Sequence, residues 1–273
     1  MSTTTLDVAL PTNAARPGQY KLRGLFASEW TKLRTVRSTA WAIGLTLFLG
    51  VGVSIIATAE TRAHWKPTSS VGFDPTQTSL IGMAFAQLAI GVLGVLAISS
   101  EYGTGTIRAT LTATPRRVGV LISKVAVFAA LALIVSEAVS FVSFFVGQAF
   151  LTHPAIHATL ATPGALRQVI GAGLYVTLLG LMGLGFGIII RHTAGAISAL
   201  VGVVLVLPLI VQAFPQSLEM SLRRFLPDNI GAALTSVHPN PESFSPWLGF
   251  GVLCAYVAGL LVIGGSSLLS RDA

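Results

Sequence analysis

Charged residues are scarce in this chain. Asp, Glu, Lys and Arg make up 10% of its 273 residues, where a water-soluble domain carries roughly 25%. That is too little charge to cover a water-facing surface. Apolar residues make up 53% and mean hydropathy is +0.78, so the apolar excess faces a bilayer. Cysteine is nearly absent too. The lone Cys254 excludes an internal disulfide and any Cys-based metal cluster. No GxxxxGK[ST] loop occurs, which excludes ATP hydrolysis on a phosphate cradle of that kind. None of the five histidines falls inside a long apolar run, which argues against an intramembrane Ser–His protease. His153 and His157 have helical metal spacing. Pro154 between them and the want of a third ligand speak against a metal site.

Acidic residues number 10 against 17 basic ones, for a net charge of +7. In a soluble protein such a balance points to nucleic acid. Here the basic residues sit in short segments between long apolar runs, the pattern of membrane topology, and no nucleic-acid partner is expected. Residues 1–18 are Thr/Ala/Pro-rich with no apolar stretch and read as a disordered cytoplasmic tail.

Six apolar runs reach spanning length: Ala40 to Ala59, Leu80 to Ile98, Val125 to Leu151, Leu166 to Ile190, Ala194 to Phe214 and Trp247 to Leu269. The expected fold class is therefore all-α, a polytopic protein with six transmembrane helices over residues 38–273. With the N-terminus inside, twelve of the 17 Lys and Arg residues fall in inner segments. That bias predicts a plasma-membrane protein with both termini cytoplasmic.

Residues 19–37 precede the first run and form a different element. At 100° per residue, Leu22, Leu25, Phe26, Trp30, Leu33 and Val36 share one face, with Lys21, Arg23, Lys32 and Arg34 to its sides. This predicts an amphipathic helix lying in the cytoplasmic interface, either as an anchor or as a contact for a cytoplasmic partner. Glu29 projects from the middle of the apolar face. A basic partner would explain it, but the sequence names none.

Small residues mark close helix packing. Gly183 and Gly187, with Gly171, Gly173, Gly180 and Gly185, thin the fourth span, and Ala255 and Gly259 the sixth. Ordinary bundle packing and a dimer seam both fit. One ionisable residue lies deep in lipid. Glu137 is 13 residues past Lys124, about 20 Å along a helix axis. Such a carboxyl faces the bundle interior or a wet cavity, or is protonated. Ser140 and Gln148 lie on nearly the same face, with Ser136 and Ser143 beside it. Two readings follow: a polar stripe lining a substrate path, or a protonated carboxyl tying helices together.

The inner loop between the second and third spans is the most specific segment. Gly103 and Gly105 break the preceding helix, Thr104 or Thr106 can cap a new one, and Pro115 ends it. A positive-inside loop explains the arginines but not this framing of a short helix. The segment Glu101-Tyr102, Gly105-Thr106, Arg108, Leu111, Pro115-Arg116-Arg117 and Lys124 resembles the inner loop of ABC transporter permeases of the type-2 exporter (ABC-2) family, especially actinobacterial drug and antibiotic exporters. Ser28 to Arg34, Leu226-Pro227-Asp228-Asn229 and the closing Arg271-Asp272-Ala273 resemble that family too, in the same order.

The resemblance implies a permease subunit with no catalysis of its own. Residues 105–114 would be a coupling helix docking on a separate ABC ATPase subunit, which binds ATP and Mg, so this chain needs no cofactor. Glu101, Gly105, Thr106, Arg108, Leu111, Arg116 and Arg117 would serve that coupling. Residues 19–37, with Glu29, Trp30, Lys32 and Arg34, would be the connecting helix. Residues 215–246 would form re-entrant helices closing an outer gate. Glu137, Ser140 and Gln148 would line the path of a hydrophobic, amphipathic or lipid-like small molecule moved outward, as in multidrug efflux. A second permease copy, as a homodimer, and membrane lipids are the further partners. The alternatives are a membrane anchor or signalling subunit that docks an ATPase and transports nothing, and an ion-coupled secondary transporter.

Overall fold

The computed structural model describes residues 22–66, 72–106, 117–151, 157–237 and 243–271. Helix is the only regular structure among them. Helix α1 (Leu22–Thr35) leads, after the non-helical Val36, into α2 (Arg37–Ala63). The short α3 (Pro75–Ser79) precedes α4 (Met83–Gly103), followed by α5 (Arg117–Phe150) and α6 (Ala165–Ile190). Next come α7 (Thr193–Val201), a π-helical turn (Gly202–Val206) and α8 (Leu207–Gln212) in one continuous rod. Two short helices, α9 (Gln216–Arg223) and α10 (Pro227–Thr235), lead to α11 (Pro246–Arg271).

Six helical stretches are long and apolar enough to cross a membrane: α2, α4, α5, α6, the α7–α8 rod and α11. The expected all-α class and the six runs are both present. Most helices begin or end a few residues beyond the apolar run, because polar residues at the ends continue the hydrogen-bond ladder. The largest extension is in α5, which starts at Arg117 rather than near Val125.

Helices α4 and α6 form the centre of the bundle, and α2, α5, the α7–α8 rod and α11 surround them. Glycine explains why these two approach most closely. A Cβ on Gly94 would run into the Gly180 carbonyl, and one on Gly183 into the Gly91 carbonyl. Without a hydrophobic force between helices in lipid, such backbone contact is what holds spans together. Gly183 and Gly187 thus face α4 of the same chain, which is the bundle-packing reading of that pair. Trp41, Phe48 and Ile56 on α2 and Val262 and Ile263 on α11 point outward, as side chains facing lipid do.

Pro208 does not act alone on the fifth span. The widened turn lies just before it, with the Leu207 N–H bonded to Gly202 O. A π turn re-satisfies backbone groups that a proline would otherwise leave open.

The end of the bundle that carries α3 is knitted by side chains. Asp74 Oδ1 caps α3, accepting from Thr76 and Gln77 N–H, while its Oδ2 accepts from Gln168 Nε2 at 2.7 Å. Arg167 donates to Ser236 O at 2.7 Å, joining the start of α6 to the end of α10.

The α4–α6 contact makes a direct test. Gly94→Ala is expected to destabilise by about 1–3 kcal/mol, read as a lower thermal midpoint of the purified protein in detergent. Gly52→Ala on α2, where nothing lies within 4 Å, is expected to leave the midpoint unchanged.

Candidate functional site

Helix α1 turns its one carboxylate, rather than its aromatic residues, into the protein. Trp30 is 46% exposed and Phe26 37%, while Glu29 is 4% exposed. Phe26 and Trp30 face outward, Leu25 and Leu33 are half-buried, and the carboxylate is turned against the bundle.

Glu29 has two partners. Its Oε2 accepts from Lys124 Nζ at 2.6 Å and its Oε1 from Lys32 Nζ at 2.7 Å. Glu101 completes the group, its Oε1 accepting from Lys124 at 2.8 Å and from Lys32 at 3.0 Å. Two carboxylates and two ammoniums alternate, so the cluster carries no net charge. It joins α1, the C-terminal turn of α4 and the N-terminal part of α5. Lys124 is 4% exposed and Glu101 9%. Removing one member of such a group leaves another buried and uncompensated, which typically costs about 3–5 kcal/mol.

Burial opposes the charge on Glu29, but Lys124 and then Lys32 outweigh it and hold the carboxyl below its usual range. Burial likewise opposes the Lys32 ammonium, but Glu29 and Glu101 raise it above the usual lysine value. For the lowered carboxyl, the stability is complete above its unfolded value of 4.5 and is lost as pH falls through the folded value. For the raised ammonium, it is complete below 10.5 and lost as pH climbs through the folded value. The cluster is therefore intact throughout the neutral range.

The loop beyond Glu101 begins beside this cluster. Gly105 has a φ of 71°, the left-handed region that glycine adopts freely. Thr104 and Thr106 hydroxyls bond each other at 3.0 Å. Arg108, Leu111 and Arg116, with most of the expected coupling helix 105–114, lie outside the described residues, as does the 1–18 tail. Arg117 opens α5. Nearby, Arg191 takes a left-handed backbone (φ 59°) at the end of α6, donates to Ser267 O at 3.0 Å and lies over the Tyr102 ring.

The structure brings Glu29 and Lys32 of the interfacial helix together with Glu101 of the loop pattern, while Trp30 and Arg34 are exposed. Lys124 was read only as part of the loop pattern, yet it is the centre of the cluster. The available signal was a pair of unexplained charges, Glu29 in an apolar face and Lys124 at the head of an apolar run.

The expected polar stripe on α5 is not one open path. Ser140 donates to Val169 O at 2.7 Å. Gln148 donates to Pro75 O and Ser79 Oγ and accepts from Ala158 N. Both tie α5 to its neighbours, because a helix face that is polar in sequence finds backbone partners first. Glu137 differs. Both its oxygens are buried with no partner among the described residues, and the carboxyl lies flat on Gly173, where a Cβ would sit 2.5 Å from its Cδ. None of these three lines the cavities of about 790 and 570 Å³.

Among known families, the one described as "ABC-2 family transporter protein" matches residues 25–209. The match covers all four charges of the cluster and stops within α8. No curated protein matches the chain.

Lys124→Met tests the cluster. It is expected to destabilise the protein by about 3–5 kcal/mol, measured by thermal unfolding in detergent at neutral pH. The difference from wild type is expected to shrink as pH falls below 4.5, where the unfolded chain's Glu29 takes up a proton first and the folded carboxyl follows at lower pH. Equal midpoints at neutral pH contradict the arrangement.

Proposed function

Because the chain belongs to the ABC-2 family of transporter proteins and is a multi-pass membrane subunit of an ABC transporter, we propose that it is the permease of an exporter. A separate ABC ATPase binds ATP and Mg and supplies the work. A second copy of this chain completes the pathway, both termini are cytoplasmic, and the membrane is the plasma membrane. The cargo is a hydrophobic or amphipathic small molecule, drug-like or lipid-like.

The observation that carries this reading is the Glu29–Lys32–Glu101–Lys124 cluster. It lies where α4 and α5 flank the 105–116 segment, the part of the chain we assign to the ATPase. Separating its members costs more than a conformational step can readily supply. A push on the segment therefore moves α1, the end of α4 and the start of α5 as one body. The glycine contact of α4 with α6 passes that motion to the centre of the bundle, since packed interfaces shift between discrete arrangements rather than deform. The exposed side of α1 stays in the headgroup region and slides with it. In this scheme α9 and α10 form the outer gate segment of residues 215–246.

Two variants test coupling. Gly105→Pro cannot adopt the φ of 71°, because proline is held near −65°. It is expected to leave membrane insertion intact, and ATP hydrolysis by the co-expressed ATPase is expected to continue while export falls at least about tenfold, a loss of about 1.4 kcal/mol in coupling. Normal export contradicts the docking assignment. Glu137→Gln, assayed the same way with ATPase binding retained, is expected to impair export if the carboxyl serves transport. Unchanged export leaves Glu137 a packing residue.

A further inference from the structure

At the end of α4 far from Glu101, a cavity of about 570 Å³ opens between α2, α3, α4, α6 and α10. Its apolar walls include Ile81, Met83 and Ala172. The Tyr175 ring forms another wall, packed on Gly231 so tightly that a Cβ there would sit 2.6 Å from Tyr175 Cζ.

The polar atoms of this cavity are unevenly matched. Its threonine hydroxyls have partners in their own helices: Thr61 donates to Ala57 O, Thr78 to Asp74 O and Thr235 to Gly231 O. Gln87 is 7% exposed, and its Nε2 donates to Ala84 O at 2.8 Å. Its Oε1 is buried with no partner among the described residues, and so is Asp228 Oδ1. Two acceptors of the lining, one on a carboxyl group, are thus left unmatched, with the Tyr175 hydroxyl and the Gln77 amide as the other polar groups of the wall. Arg223 acts on Asp228 through its charge, but its guanidinium pairs with Glu219 at 3.6 Å and lines a separate cavity.

Buried acceptors without donors are unfavourable until a donor arrives. A carboxylate in a partly desolvated cavity favours a positively charged one. We propose that this cavity binds an organic cation, an amphiphile whose protonated amine supplies N–H donors to Asp228 Oδ1 and Gln87 Oε1 and whose apolar body lies against Tyr175, Met83 and Ile81. A neutral molecule of the same shape loses the charge attraction to Asp228 and most of the donors, and an anion meets Asp228 head-on. Gln87 and Glu101 lie on one helix, 14 residues or about 21 Å apart, so the cation site and the charge cluster are joined by α4. The inference rests on the exporter reading only in calling this ligand the cargo. Binding itself stands apart from it.

The full chain in lipid nanodiscs tests the site with dansylcadaverine, an apolar ring bearing a primary ammonium, read by fluorescence. Its N-acetyl derivative keeps the ring and removes the charge. The wild type is expected to bind the amine at least about tenfold tighter than the acetylated probe, about 1.4 kcal/mol. Asp228→Asn and Gln87→Leu are each expected to weaken the amine about tenfold and leave the neutral probe unchanged. Either variant suffices if the other loses its wild-type thermal midpoint. Equal affinity for the two probes, or unchanged amine affinity in a folded variant, overturns the site. Selective amine binding without ATP-driven export of the amine sinks the exporter reading and leaves the site standing. Export without selective binding does the reverse.

Discussion

A carboxylate turned inward from an otherwise lipid-facing helix sets the terms for this protein. Glu29 sits on α1, an amphipathic helix whose Phe26 and Trp30 face away from the bundle. Its charge is tolerable only because Lys124 and Lys32 meet it within 2.7 Å. Apolar packing holds an interfacial helix loosely, since lipid is as good a neighbour as protein. A buried ion pair has no such substitute. The helix is thereby fixed to the bundle at one register, at the residues that lead into and out of the 105–116 segment.

The same chain places its two polar specialisations at opposite ends of α4. One end carries a charge-balanced cluster in which every cation is engaged. The other carries a cavity in which two buried acceptors, Gln87 Oε1 and Asp228 Oδ1, have no partner among the described residues. Between them runs the stretch where α4 and α6 touch backbone to backbone at Gly91, Gly94, Gly180 and Gly183. Close contact of that kind leaves little slack, so displacement at one end of α4 reaches α6 before it can dissipate. The π turn ahead of Pro208 puts a softer joint in the neighbouring rod, where a large apolar groove between α6, α8 and α11 borders α9 and α10.

Much of this was legible in the sequence. Apolar runs of spanning length leave few alternatives to six helices, and hydrophobic periodicity marked α1 and its misplaced carboxylate. The partner was not legible, because Glu29 and Lys124 are 95 positions apart and no local period links them. The partners of the polar face of α5 are hidden for a related reason. Sequence shows that Ser140 and Gln148 share a face, but not that Val169 O and the α3 backbone are within reach. The Asp74 and Gln168 contact has no signal in the sequence, since it joins the N-cap of α3 to the first turn of α6, which become neighbours only after the spans assemble. Asp228 was noticed as part of a pattern, and its place in a cavity follows from the packing of α10 on α6.

The claim that the four charges act as one body is tested most directly by a double-mutant cycle on the ratio of ATP hydrolysed to substrate exported. Glu29→Gln, Lys124→Met and the double variant are compared with wild type, each with the ATPase subunit bound. A single mechanical unit predicts that either change raises the ratio sharply and that the double variant is little worse than the poorer single one. Independent, multiplying effects, or wild-type ratios in all three, contradict the account.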